Sequence, residues 1–336
     1  MTGSRFNRRA VLHSMAALGG AGWLGTAPAQ TTKAAAWPTK PIKLIVPFNA
    51  GGATDIIARS VGEALSQRLG QPVVVDNRGG AAGILGTDAV AKAAPDGYTL
   101  LLSLSTSMLI NQFLYTKLPY DPQKDLTLIT QIAAAPVTLV VHPSVPASNM
   151  KELLAYVKAN RGKVSYGSWG VGSYAHLGGA YMSKTQDADM AHVAYKGEAP
   201  MIQDLIGGQL QLCFSSAQNT KPFIDSGRLK AIGVTGTERM DILPQVPTIH
   251  EQGVTDDAYA VFGWVAMGGP ANLPKEVMDV LQAHLREIAR DPKLLERIRG
   301  AGFMPLMNSP EAFQANYRRD MPVWKALVEA AGAKLD

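Results

Sequence analysis

The chain has 336 residues, 46% hydrophobic and 18% charged, which is too long for one compact core and too apolar for a disordered chain. A single cysteine, Cys213, excludes an intramolecular disulfide and a cysteine-rich zinc or iron–sulfur site. The formal net charge is +5, but Arg5, Arg8 and Arg9 stand in the acid-free first 29 residues; the remainder carries 29 basic against 27 acidic residues and no basic stripe for nucleic acid.

Residues 1–29 read as a cleaved export signal. The three arginines form its basic leader, an apolar stretch runs over 10–24, and Ala27-Pro28-Ala29 offers a small-residue cleavage site. The apolar stretch is broken by His13, Ser14 and Gly19-Gly20, well short of the roughly 20 apolar residues that span a bilayer. Arg8-Arg9 followed by Ala10-Val11-Leu12 resembles a twin-arginine signal, and a Sec signal fits as well. The expected location is the periplasm, after cleavage near Ala29.

In chain order, Ile42-Lys43-Leu44-Ile45-Val46 predicts a buried strand, ended by Pro47-Phe48 and a Gly51-Gly52 turn. A helix follows over 55–69, with Ile57, Val61, Leu65 and Leu69 four apart and Gly70 and Pro72 to stop it. Val73-Val74-Val75 predicts a second strand; then come a glycine-rich segment at 79–86, a helix at 88–94, a Pro95-Asp96-Gly97 turn and a strand at 98–102. This alternation predicts a parallel, doubly wound sheet. The logic repeats with a helix at 151–160 capped by Ser148 or Asn149, a strand at 164–167, a helix at 174–184, and strands at 191–195, 211–214 and 229–234. Cys213, beside Phe214 in an apolar run, is expected to be buried. A helix from Pro274 carries Val277, Leu281, Leu285 and Ile288 as its stripe, and another, after Ser309-Pro310-Glu311, is expected to kink at Pro322. The apolar passages 126–141 and 259–267 are the candidate crossings between two α/β lobes around a cleft.

Catalytic machinery is hard to find. Gly167-Ser168-Trp169-Gly170 fails the nucleophile-elbow frame because Tyr166 stands where glycine is required. His142, His176, His192, His250 and His284 have no metal-ligand spacing, so no metal is expected. Gly170-Val171-Gly172-Ser173-Tyr174-Ala175 is a degenerate dinucleotide loop without a well-placed acid, and no Walker A sequence exists, so no cofactor is expected. What recurs is a strand, a Gly/Ser-rich turn and a helix start: at 47–55, at 103–107 with Ser103, Ser105 and Ser107, and at 168–173. Each turn presents unpaired N–H groups at the positive end of a helix dipole, which is an anion site without a cationic side chain.

The segment Pro47-Phe48-Asn49-Ala50-Gly51-Gly52-Ala53-Thr54-Asp55-Ile56-Ile57-Ala58-Arg59 resembles the Bug-type extracytoplasmic solute-binding receptors of tripartite tricarboxylate transporters. The likeness continues through Asn77-Arg78-Gly79-Gly80-Ala81-Ala82-Gly83, Ala94-Pro95-Asp96-Gly97-Tyr98, Leu118-Pro119-Tyr120-Asp121-Pro122, Val141-His142-Pro143-Ser144, Tyr195-Lys196-Gly197, Asp204-Leu205-Ile206-Gly207-Gly208-Gln209 and Leu243-Pro244-Gln245-Val246-Pro247-Thr248. It covers essentially the whole chain from about Trp37 onward.

The resemblance implies an α/β type II periplasmic-binding-protein fold, with lobe one at 38–138 and 262–336 and lobe two at 139–261. It implies a monomeric receptor without enzymatic activity, whose partners are a small carboxylate and the membrane permease subunits. The acid is expected to be a di- or tricarboxylate, an acidic amino acid or an aromatic acid. Its expected ligand-binding residues are Phe48, Asn49, Ala50, Gly51, Gly52, Thr54 and Asp55 in the first turn and Ser103, Ser105 and Ser107 in the second. The third turn adds Ser168, Trp169, Gly170, Val171, Gly172 and Ser173, with His176 and Glu198 nearby. Arg59 and Arg78 are expected to be dispensable for binding. Trp169 stands where many members have a small residue, Ser215-Ser216 replaces a common acidic–amide pair, and Glu198 occupies a variable position. The other readings are a periplasmic hydrolase using Ser168 and His176, and a sensor that presents its ligand to a kinase. If Arg8-Arg9 directs twin-arginine export, replacing both with lysine abolishes periplasmic delivery, measured by fractionation; unchanged delivery assigns export to Sec.

Overall fold

Two mixed sheets carry the fold of residues 37–335, the part of the chain that the computed structural model describes. The predicted export signal at 1–29 lies outside the described residues. The first sheet holds β1 (Ile42–Val46), β2 (Val73–Asn77), β3 (Thr99–Leu104) and β4 (Leu126–Ala135), and later β10 (Gly263–Pro270) and β11 (Met304–Pro305). The second holds β5 (Thr138–Val141), β6 (Ser165–Ser168), β7 (Ala191–Ala194), β8 (Leu212–Ser215) and β9 (Lys230–Val234). Their spatial orders are β11-β4-β10-β3-β1-β2 and β7-β6-β8-β5-β9.

The expected parallel pairing holds only for three strands of each sheet. β1 runs parallel to β2 and β3, and β6 parallel to β7 and β8. β10 is antiparallel to β3 and β4, and β5 is antiparallel to β8 and β9. Helical connections force strands parallel, whereas β4, β5 and β10 flank the passages between the sheets and enter them in the opposite sense. Pro136, which has no N–H to give a ladder, stands between β4 and β5.

Helices cover these sheets where the apolar stripes demand. Ala53–Leu69 buries Ile57, Val61 and Leu65 and ends on Gly70, whose φ of 65° suits glycine. Lys275–Ile288 buries Val277, Leu281, Leu285 and Ile288, each worth about 1.5–3 kcal/mol when fully removed from water. The helix expected at 88–94 starts earlier, at Ile84–Ala91, because Gly83 takes the left-handed conformation (φ 85°) that begins it. The last helix, Pro310–Ala331, continues through Pro322. Its Trp324 meets Tyr174 edge-on with ring centroids 5.8 Å apart, and Tyr174 in turn meets Phe214 of β8 at 5.2 Å. The C-terminal helix therefore packs on the second sheet's helix as well as beside β4. Cys213 is buried in β8, and burial pushes its thiol up, away from reactivity. No helix among the described residues is long and apolar enough to cross a membrane.

Gly179, in the helix Tyr174–Thr185, sets how closely that helix lies on β6. A Cβ there falls 2.3 Å from the Tyr166 ring, which is itself stacked on His192 with centroids 5.0 Å apart. Overpacking of this kind costs about 1–3 kcal/mol, more than the roughly 1 kcal/mol that alanine gains in helix propensity. Gly179→Ala should lower the urea unfolding midpoint; a raised midpoint means that Tyr166 has room to move.

Candidate functional site

Ligands of open α/β sheets sit beyond the carboxyl ends of the strands, where the strand order reverses. That reversal lies between β1 and β3 in the first sheet and between β6 and β8 in the second. The segments leaving these four strands converge on one cavity of about 430 Å³. Ala53 and Thr54 follow β1, Ser105 and Thr106 follow β3, Trp169, Gly172 and Ser173 follow β6, and Ser216, Gln218 and Asn219 follow β8. Glu198 enters from the turn after β7, and Tyr174, Trp264, Phe303 and Trp324 supply an aromatic wall. A depression of similar volume, about 450 Å³, lies between residues 122–128 and the last helix. It sits at the amino end of β4 and collects none of these strand ends.

Of the expected ligand-binding residues, Thr54, Ser105, Trp169, Gly172, Ser173 and Glu198 line the cavity. Phe48, Asn49, Ala50, Gly51, Gly52, Asp55, Ser103, Ser107, Ser168, Gly170, Val171 and His176 are not in its lining. Their bonds account for much of this difference. Asp55 is buried, and its Oδ2 accepts from the Gly51 N–H at 2.9 Å and Arg59 Nε at 3.0 Å, while its Oδ1 accepts from Asn77 at 3.0 Å. Burial pushes this carboxyl up, but the bonds from Arg59, Gly51 and Asn77 outweigh it and hold the pKa below the usual value. The Gly51 N–H is thus spent on Asp55 rather than offered to an anion. Arg59, expected to be dispensable, ties Asp55 to Asn77. The available donors of the first turn are the leading N–H groups of the helix Ala53–Leu69, unpaired within it, and the Thr54 hydroxyl.

Ser103 and Ser107 are wholly buried. Their hydroxyls lie 2.6 Å apart, Thr87 donates to Ser107 at 2.9 Å, and Tyr120 donates to the Ser107 carbonyl at 2.6 Å. They hold the segment after β3 from behind, while Ser105, between them, reaches the cavity and accepts from the Trp264 N–H at 3.3 Å.

The third turn also spends its N–H groups internally. Gly172 donates to Nδ1 of His176 at 3.2 Å, Ser173 to the Gly170 carbonyl at 3.2 Å and Gly170 to Ser168 Oγ at 3.4 Å. Ser173 caps the helix Tyr174–Thr185. Ser168 lies 2.7 Å from Nε2 of His192, not beside His176 as a hydrolase pairing requires, and has no exposed surface on which to receive a substrate. His176 stacks on His192 with centroids 4.1 Å apart. Among the lining residues that sequence reasoning missed are Thr106, Tyr174, Gln218, Asn219, Trp264, Phe303 and Trp324. Gln218 and Asn219 were within reach of the strand-end rule, since they follow a predicted strand; the aromatic wall comes from distant segments that carry no local signal.

Burial, and then the neighbouring His192, pull His176 down to a pKa of about 4 from the ordinary 6.5. The unfolded chain takes up this proton first, so stability is lost as pH falls from about 6.5 and the loss is complete near 4. Between those limits His176→Gln should lose about 3 kcal/mol less than the unsubstituted protein, measured by urea unfolding at both pH values. Equal losses would show that His176 protonates without penalty.

Residues 57–333 match the family described as tripartite tricarboxylate transporter family receptor. Protein BugT of Bordetella pertussis is 33% identical over 300 residues, covering 89% of this chain and 91% of that one. The periplasmic binding protein BugD is 37% identical, with a TM-score of 0.68 over 89% of this chain and 99% of its own. Rpa4515 of R. palustris, solved with adipate, is 31% identical, with a TM-score of 0.72 over 89% of this chain and 100% of its own. These likenesses carry the two-lobed periplasmic-binding-protein fold, and the family is one of solute-binding receptors rather than enzymes. The chain belongs to the family of tripartite tricarboxylate transporter receptors.

Proposed function

We propose that this receptor captures a small organic carboxylate in the cavity between its two sheets and hands it to the permease of a tripartite tricarboxylate transporter. The observation that carries the reading is the convergence on one cavity of the helix start at Ala53-Thr54 and the hydroxyls of Thr54, Ser105 and Thr106. Such groups bind a carboxylate without a basic partner, because helix N-termini favour negative charge. That Rpa4515 was solved with adipate supports the ligand class. Export by the segment 1–29, cleavage near Ala29 and action as a monomer complete the proposal, with 38–138 and 262–336 as one lobe and 139–261 as the other.

A hydrogen bond to a charged group contributes about 1.5–3 kcal/mol, and a micromolar complex needs about 8 kcal/mol. Thr54 and its neighbours alone fall short, so tight binding requires donors from both sheets. In a titration calorimetry screen of mono-, di- and tricarboxylates, at least one acid should bind at micromolar concentration. Thr54→Val keeps the side-chain shape and removes the hydroxyl, so it should weaken that acid by about 1.5–3 kcal/mol. An unchanged affinity would place the carboxylate elsewhere.

A further inference from the structure

Glu198 is the one charged side chain among the residues lining the cavity. It opens the helix Glu198–Ile206, and four bonds fix it to the segment that ends β8. Its Oε2 accepts from the Ser215 hydroxyl at 2.6 Å, the Ser216 N–H at 3.1 Å, the Ser216 hydroxyl at 2.7 Å and Asn219 Nδ2 at 2.8 Å. All four fall on the same oxygen, which locks the carboxylate in place, and none of them falls on Oε1. Lys196, two residues earlier, is exposed and is not in the lining. No lysine or arginine of the lining neutralises Glu198.

The cavity therefore has two electrostatic ends. The helix start at Ala53-Thr54 is positive through its backbone, and Glu198 is a full negative charge held on the second sheet. A dicarboxylate reaching across brings its far carboxylate toward Glu198 in a partly desolvated space, where like charges repel strongly. An ammonium group at that position instead gains a charge-assisted hydrogen bond in a cavity whose lining includes the Trp169 ring, and ring faces attract cations. We propose that Glu198 makes this receptor select carboxylates that also carry an ammonium group, amino acids in the broad sense, over dicarboxylates of the same length. This inference rests on the carboxylate reading above and names its substrate class.

Matched pairs test it by calorimetry: succinate against 4-aminobutanoate, adipate against 6-aminohexanoate, and α-amino acids against the same acids without the amino group. In the unsubstituted protein, the tighter-binding pair should favour its amino member by at least about ten-fold. Glu198→Gln keeps an acceptor for Ser215, Ser216 and Asn219 but loses the charge, and should erase most of that preference. A dicarboxylate that binds as tightly as its amino partner overturns the inference and leaves the carboxylate reading standing; Glu198 is then only a clamp on the end of β8. Equal binding of 6-hydroxyhexanoate and 6-aminohexanoate also overturns it, because a neutral donor then suffices. If no acid of any pair binds, the carboxylate reading itself fails. The comparison within the unsubstituted protein decides the matter even if Glu198→Gln does not fold.

Discussion

A strand followed by a helix and then a parallel neighbour delivers its carboxyl end to the same rim of the sheet each time. That constraint places every polar lining group of the cavity. β1, β3, β6 and β8 all release the chain toward the space between the sheets, and a strand order that reverses at β1/β3 and at β6/β8 keeps a helix from filling the gap. Thr54 and Ser173 arrive from opposite sheets because each stands at the start of the helix that follows its strand. The antiparallel strands β4, β5 and β10 do the complementary work of connecting the sheets, and Ala135, Pro136, Val137, Gly263 and Trp264, at or beside their ends, line the cavity.

Behind the lining lies a layer of polar groups that bond only to the protein. The Asp55 carboxylate, the Ser103–Ser107–Thr87 hydroxyls and the Ser168–His192 pair each fix one strand-end turn. Buried polar groups left without partners cost about 1–3 kcal/mol each, so these clusters admit few alternative arrangements. Their effect is to hold Thr54, Ser105 and Ser173 in position before a ligand arrives, which reduces the ordering cost of binding. The same layer explains why a serine beside a histidine is not a catalytic pair here. Ser168 is sealed beneath the turn, and His176 meets His192 face to face instead of meeting Ser168.

Much of the fold was legible in the sequence, because the strands at 42–46 and 73–75, the second of which runs on to Asn77, and the stripes of the two long amphipathic helices follow from spacing alone. The mixed pairing of each sheet was not, since direction depends on which strands carry the chain between lobes. In the candidate site, the three turns were legible as strand, glycine- or serine-rich turn and helix start, but the atoms that reach the cavity were not. Gly51 and Gly172 look like open N–H donors in sequence, yet each donates to a side chain four residues on, Asp55 or His176. Ser103, Ser105 and Ser107 share a pattern, and the backbone after β3 turns only Ser105 into the cavity. Trp264, Phe303 and Trp324 come from segments far apart in the chain, and no local rule joins them.

The two ends of the cavity draw their charge from different sources, and this sets what a ligand must supply. At the first sheet the positive potential is fixed in the backbone of Ala53–Leu69, cannot be titrated and needs no side chain to be ordered. At the second sheet the negative charge is a side chain held by Ser215, Ser216 and Asn219. A ligand with two carboxylates satisfies the first end and opposes the second. The two serine hydroxyls after Phe214 both donate to Glu198 and hold it in place at the end of β8.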